Sequence, residues 1–251
     1  MRIQDTRLTP VFSILGLLTL WVVAAFLTDD AQVLPQPWGL FAPLQQEVAS
    51  GELFRHLGAT LLRVIWAFAL AMGIGVTLGL AMGRSERLNA WLDPWLVIFL
   101  NLPALVLIVL CYLWIGLTEA AAIIAVTLNK IPNVAVVVRE GARACDPALD
   151  ALSQVYRMPW RTRMRHVLFP QLAPYIAAAA RSGVAVIWKI VLVVEFLGRS
   201  SGVGFQIHLY FQLFDVAMVL VYALSFICVM LLVEWVILQP VERHVSKWRR
   251  A

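Results

Sequence analysis

The chain has 251 residues, 61% of them hydrophobic and only 14% charged, with a mean hydropathy of +0.82. A soluble domain of this length carries about a quarter charged residues, so an ordinary soluble enzyme or nucleic-acid-binding module is excluded and no room is left for a separate soluble domain. The net charge of +5 matters through where it sits.

Apolar runs of about 18 residues or more read as membrane-spanning helices. Six such spans are predicted: 11–28, 59–82, 91–114 interrupted by Pro103, 120–138 interrupted by Pro132, 175–194, and 216–238. The first has a basic residue before it and Ala24 and Ala25 near its end, as a signal peptide does. Its apolar stretch is longer than a secretory core, so a retained anchor is expected. The chain thus divides into an N-terminal segment with the first span (1–28), an extramembrane segment (29–58), a five-helix core (59–238) and a basic tail (239–251).

Lysine and arginine set the expected orientation. Arg2 and Arg7 precede span 1, and Arg84 and Arg87 follow span 2. Arg139, Arg143, Arg157, Arg161, Arg163 and Arg165 follow span 4, and Arg243, Lys247, Arg249 and Arg250 end the chain. The connections after spans 1, 3 and 5 hold only Arg55 and Arg199 between them. Basic and non-basic loops alternate, which places both termini and the 140–172 loop in the cytoplasm, and an even number of spans agrees with that.

Between spans 4 and 5 lies a loop of roughly thirty residues, a length that is usually functional or disordered. Its apolar content argues against disorder. Leu149, Leu152, Val155 and Tyr156 fall close to one helical face. Pro147 stands where a helix can start, and Pro159 ends or bends that helix. A second helical turn or two can follow, up to Pro170. Two short amphipathic helices are therefore expected at the inner membrane face. Pattern alone leaves two readings open: an interfacial helix lying on anionic lipid, or a docking helix for a cytoplasmic partner.

At this loop the chain resembles the inner-membrane permease subunits of binding-protein-dependent ABC importers, and within them the nitrate/sulfonate/taurine branch. The family's loop signature is Glu-Ala-Ala, three residues, Gly, nine residues, Ile, one residue, Leu-Pro. Here Ala151-Leu152-Ser153, Arg157, Val167 and Phe169-Pro170 stand at those positions. Arg157 lacks glycine's backbone freedom, which leaves the turn to Pro159. Further similar stretches follow in the family's order: VLPQPWGLF at 33–41, HLGATLLRV at 56–64, GVTLGLAMG at 75–83, LDP at 92–94, NLPALVLIVLCYLWIGLTE at 101–119 and VVEFLGRSSGVGFQI at 193–207.

The resemblance implies an all-α polytopic membrane protein, a six-helix permease of the type I ABC importer kind. It would form the pathway as a homodimer in a bacterial inner membrane and receive substrate from a periplasmic binding protein. Its 140–172 loop would couple to a cytoplasmic ATPase dimer. Leu152, Val155, Tyr156 and Met158 would fill a groove on that ATPase, Arg157 and Arg161 would meet acidic residues at its rim, and Pro159, Trp160 and Pro170 would shape the loop. ATP and Mg would sit on the ATPase. The permease itself would bind no cofactor, and no P-loop pattern occurs in it.

Ionisable groups inside spans are expensive in lipid and are functional candidates. Lys130, beside Asn129, lies roughly 16 Å below Glu119 at 1.5 Å per residue. Lys189 lies in the outer half of span 5, and Glu195 is near its outer end. Lys130 and Lys189 are expected to face a pathway that favours an anion. The rival expectation is internal ion pairing, for instance Lys189 with Glu195, although a spacing of six leaves those two off one helical face. Arg63 and Arg181 are expected to pair or snorkel. Gly75, Gly79 and Gly83 suit close helix packing, within a subunit or across a dimer.

Membrane-embedded enzymes need clustered carboxylates, histidines or a nucleophile with a base. The four histidines fall outside the predicted spans, and no HExxH or GxSxG occurs. Cys111, Cys145 and Cys228 form no CxxC pair. A self-contained channel or secondary transporter with an interfacial basic helix remains the alternative function.

Overall fold

The computed structural model describes residues 9–240. Arg2, Arg7 and the basic residues of the tail lie outside them. The described residues form helices joined by turns, with no strand.

Helix α1 (Thr9–Thr28) is apolar and largely exposed. The Trp21 indole donates to the Pro35 carbonyl at 3.2 Å, and Phe26 lies against Trp38. A 3-10 turn (Pro37–Leu40) and helix α2 (Phe41–Ser50) follow. Gly51, at φ +79°, then turns the chain directly into α3 (Glu52–Arg84). The expected 29–58 segment is therefore largely helical, and the second span starts at Glu52 rather than at 59. The reason is that the first two turns of α3 carry polar residues with partners in the fold, so the helix outruns its apolar stretch.

The predicted third span is two helices, α4 (Glu86–Asn101) and α5 (Ala104–Ile115), bent by 99°. Pro103 supplies no N–H to the preceding turn and pushes Leu102 into an extended conformation (φ −71°, ψ 124°). Helix α6 (Glu119–Arg143) starts at a Thr118 cap, whose hydroxyl accepts from the Ala121 N–H at 3.1 Å, and runs through Pro132.

Helices α7 (Pro147–Val155) and α8 (Trp160–Arg163) form the long loop. A π turn (Met164–Leu168) joins α8 to α9 (Phe169–Gly198), so one helix runs from Trp160 to Gly198. The expected stop at Pro170 and the start of span 5 at 175 are both corrected by this. Pro170 falls in the first turn of α9, directly after the π turn, and does not end the helix. Short α10 (Val203–Gln212) and apolar α11 (Val216–Val233) complete the bundle.

Four helices, Glu52–Arg84, Glu119–Arg143, Trp160–Gly198 and Val216–Val236, are long and apolar enough to cross a membrane, and the bent α4–α5 pair makes up to five. Within α1, Phe12–Thr28 is a shorter apolar helix.

The core lies between α3, α6 and α9. A Cβ on Gly79 would fall 2.4 Å from the Ala135 carbonyl oxygen, and one on Gly83 would fall 2.5 Å from the Ala142 Cβ. The glycine stripe thus brings α3 against α6 within one chain. Ala67, Ala71, Ala121, Ala125, Ile187 and Val191 seal the centre.

Candidate functional site

Two constellations lie roughly 30 Å apart along α3, at 1.5 Å per residue, one around Arg63 and the other beside Arg84.

Arg63 is buried and uses all five of its N–H groups. Nε and Nη2 clasp the two oxygens of Glu119 at 2.8 and 2.6 Å. Nη1 donates to Glu195 Oε1 at 2.6 Å and to the Ser201 carbonyl at 2.7 Å, and Nη2 also reaches the Ser201 hydroxyl at 2.7 Å. Glu195 is 0% exposed. Its Oε2 accepts from the Thr60 hydroxyl and from the Gly204 N–H, both at 2.9 Å. Arg199 adds a second cation to Glu119 at 2.6 Å. Two guanidinium and two carboxylate groups therefore meet in a neutral cluster in which each charge has a counter-charge, the condition for burying them.

His56, 0% exposed, completes the cluster. Its Nδ1 accepts from the Gly202 N–H at 3.0 Å, and its Nε2 lies 2.7 Å from the Gln206 side-chain nitrogen. Gly202 has no substitute here. Its φ is +111°, and a Cβ would fall 2.3 Å from the Glu195 carboxylate carbon. The cluster pins the turn before α10, and α10 itself, to α3, α6 and α9.

At the other end, α7 begins at an Asp146 cap, whose carboxylate accepts from the Ala148 N–H at 2.8 Å, with Pro147 in the first turn. It ends in a Schellman closure. The Met158 N–H bonds to the Ser153 carbonyl at 3.0 Å and the Arg157 N–H to the Gln154 carbonyl at 2.9 Å. Arg157 occupies the left-handed position with φ +45°, at a cost of roughly 1–2 kcal/mol for a residue with a side chain. The turn expected of Pro159 is made instead by Arg157, and Pro159 caps α8 in an extended conformation.

Helix α7 is turned inside out. Its buried residue is Ser153, and its partly shielded carboxylate Asp150 binds Arg84 at 2.8 Å and Arg163 at 2.7 Å. Those arginines hold the Asp150 carboxyl below the usual carboxylate range. The apolar residues point outward: Val155 is 78% exposed and Tyr156 70%, with Leu149, Leu152 and Trp160 also exposed. Arg157, Pro159, Arg161 and Pro170 are exposed beside them, and Met158 is half-buried.

The remaining candidates gather on α6 and α9. Lys130 is 3% exposed, with its ammonium 3.5 Å from the Ser182 carbonyl. Thr127, one turn earlier on α6, is buried with a hydroxyl that finds no partner among the described residues. Asn129 is half-buried. Lys189 is exposed on a stripe of α9 with Ala178, Arg181, Ser182, Ala185 and Val186. Arg181 reaches Glu234 at 3.8 Å. Among the described residues, no group of three or more His, Cys, Asp or Glu is placed to hold a metal ion.

Residues 71–239 match the model of the binding-protein-dependent transport system inner membrane component family. The chain belongs to that family. This permease is 29% identical to the putative aliphatic sulfonates transport permease protein of Bacillus subtilis (strain 168), over 94% of this chain and 85% of the relative. It is 26% identical to the taurine transport system permease protein of Escherichia coli (strain K12), over 76% and 72% of the two chains. The crystal structure of an amino acid ABC transporter superposes with a TM-score of 0.64 at 20% identity, covering 80% of this chain and 97% of that one. The permease is thus a multi-pass inner-membrane transport protein with the fold of ABC importer permeases.

Placing the expected residues corrects several points. His56 lies inside α3 and is buried, not outside the spans. Glu195 pairs with Arg63 and not with Lys189. His56, Thr60, Ser201 and Gln206 were not foreseen as members of a site, nor was the Arg84–Asp150–Arg163 cluster. The α3 members did leave a trace in the sequence. Positions 56, 60 and 63 are i, i+4 and i+7, a polar stripe on an otherwise apolar helix.

Proposed function

We propose that this permease is the membrane subunit of an ATP-driven importer of small solutes bearing an anionic group, of the sulfonate, nitrate or taurine kind. It works as a homodimer with a cytoplasmic ATPase dimer and a periplasmic binding protein. ATP and Mg sit on the ATPase, and both termini of the permease are cytoplasmic.

The outward apolar face of α7 carries this reading. An exposed run of Leu149, Leu152 and Val155 on a helix that turns Asp150 and Ser153 inward, continued by Tyr156 and by Trp160 of α8, marks a protein contact rather than a solvated surface. The helix-in-groove mode fits a short helix bearing apolar anchors, with Arg157 and Arg161 at its edge and Pro159 and Pro170 shaping the approach. A lipid-facing helix would place its arginines at head-group level and keep Asp150 and Ser153 away from the protein; here those two face it.

The anion preference rests on cations at α9. Lys189 stands on the exposed stripe, Lys130 lies behind Ser182, and Asn129 and the unpartnered Thr127 keep that region polar. Lysines inside a spanning segment face a bundle interior or a water-filled path. We assign this stripe to the pathway wall, with Glu195 acting from within the wall to hold its outer corner. The cargo named for the two relatives, sulfonates and taurine, shares an anionic sulfonate group.

The test is uptake into proteoliposomes holding the permease with its copurified ATPase, supplied with the host's periplasmic fraction and labelled taurine, alkanesulfonate or nitrate. Uptake of at least one anion is expected to require ATP and to fall when Lys130 and Lys189 are both changed to Met, with assembly intact. Uptake that proceeds without ATP would favour a secondary transporter.

A further inference from the structure

Helix α7 hangs between two turns, at Ala144–Asp146 and at Tyr156–Pro159. A helix of nine residues held only there would pivot when pushed from outside. At its N-terminal turn the Asp146 N–H donates to the Gln171 carboxamide oxygen of α9 at 2.8 Å, and in the middle of α7 the side chain that opposes the pivot is Asp150. Its Oδ2 accepts from Arg84 Nη1 at 2.8 Å, and its Oδ1 accepts from Arg163 Nη2 at 2.7 Å and Nε at 3.2 Å. Arg84 is the last residue of α3 and Arg163 the last of α8, which runs without a break into α9. The three side chains are 26%, 32% and 26% exposed. The Ser153 hydroxyl, buried beneath α7, donates to the Asp150 carbonyl at 2.6 Å and stiffens the same turn.

We propose that Asp150 is a positioning residue that ties α7 to two membrane-crossing helices at once, so that displacement of α7 is carried into α3 and α9. This rests on the reading of α7 as an ATPase-docking helix. Isolated surface ion pairs contribute little to stability, whereas a fork joining three elements fixes their relative placement. The consequence of losing it falls on energy transfer rather than on folding. The route runs through contiguous contacts: α7 to Arg84 and α3, whose glycine stripe meets α6, and α7 to Arg163, the π turn and α9.

The experiment compares wild type, Asp150→Asn and Asp150→Glu as complexes with the copurified ATPase in proteoliposomes, reading ATP hydrolysis and uptake together. Asp150→Asn is expected to keep the ATPase and its hydrolysis, and to lower uptake per ATP by about fivefold or more, the lower end of ordinary coupling between sites. Asp150→Glu is expected to restore most of it, and Arg84→Gln, which removes one arm, to give an intermediate loss. An unchanged ratio in Asp150→Asn overturns the proposal. Loss of the ATPase from Asp150→Asn complexes overturns it too, since the residue would then serve docking. If the wild type itself brings down no ATPase, the docking reading fails first and the transmission role falls with it.

Discussion

The two ends of α3 solve opposite problems. Around Arg63, charged groups are drawn together and each of that residue's five guanidinium N–H groups is met by a partner from the same chain. Around α7, apolar groups are outside while Asp150 and Ser153 face in. The first arrangement is complete in charge within one chain. The second leaves an apolar surface for something else to cover. The comparison separates residues that hold the permease together from residues that join it to a machine, and substitutions at the two ends should fail in different ways.

The largest effect on stability is expected at the complete end. Arg63→Met leaves Glu195 buried without a counter-charge, a loss of about 3–5 kcal/mol. It is read as a sharp fall in the thermal transition and in the yield of monodisperse protein in detergent. Next comes Gly202→Ala, where a positive φ and the Glu195 carboxylate leave no room for a methyl group. About 1–3 kcal/mol of overpacking is expected, measured in the same way. At the open end, Val155→Asp should change stability by no more than about 0.5 kcal/mol, as at other exposed positions, while removing ATP-driven uptake.

The smallest effect is a pH dependence. The Asp150 carboxyl is held down by Arg163 and Arg84, so its contribution is present above its unfolded pKa, about 3.9, and is lost as pH falls through the lower folded value. The difference in thermal transition between wild type and Asp150→Asn should therefore be constant from neutral pH down to the ordinary carboxylate range and vanish below it.

Much of the fold could be read from the sequence because apolar length and loop charge are one-dimensional signals. The spans at α6 and α11, the break at Pro103 and the start of α7 at Pro147 are of this kind. The extension of α3 back to Glu52 was hidden because a helix that buries His56 among polar partners does not look apolar. The inverted face of α7 was hidden for a different reason. Periodicity finds the apolar side of a helix but does not say whether that side turns toward the bundle or away from it. Arg157 in a left-handed turn could not be foreseen from residue type, which argues for glycine, because the Schellman hydrogen bonds override that preference. The Asp150 cluster joins positions 84, 150 and 163, distant in the chain, and no local pattern announces it.

The most direct measurement is affinity purification of the tagged permease from its host membrane in mild detergent, as wild type and as the Val155→Asp, Tyr156→Asp double variant, with the bound proteins identified and quantified. The account predicts a stoichiometric ATPase on the wild type and none on the double variant, with both permeases equally folded. An ATPase retained by the double variant, or absent from the wild type, would contradict it.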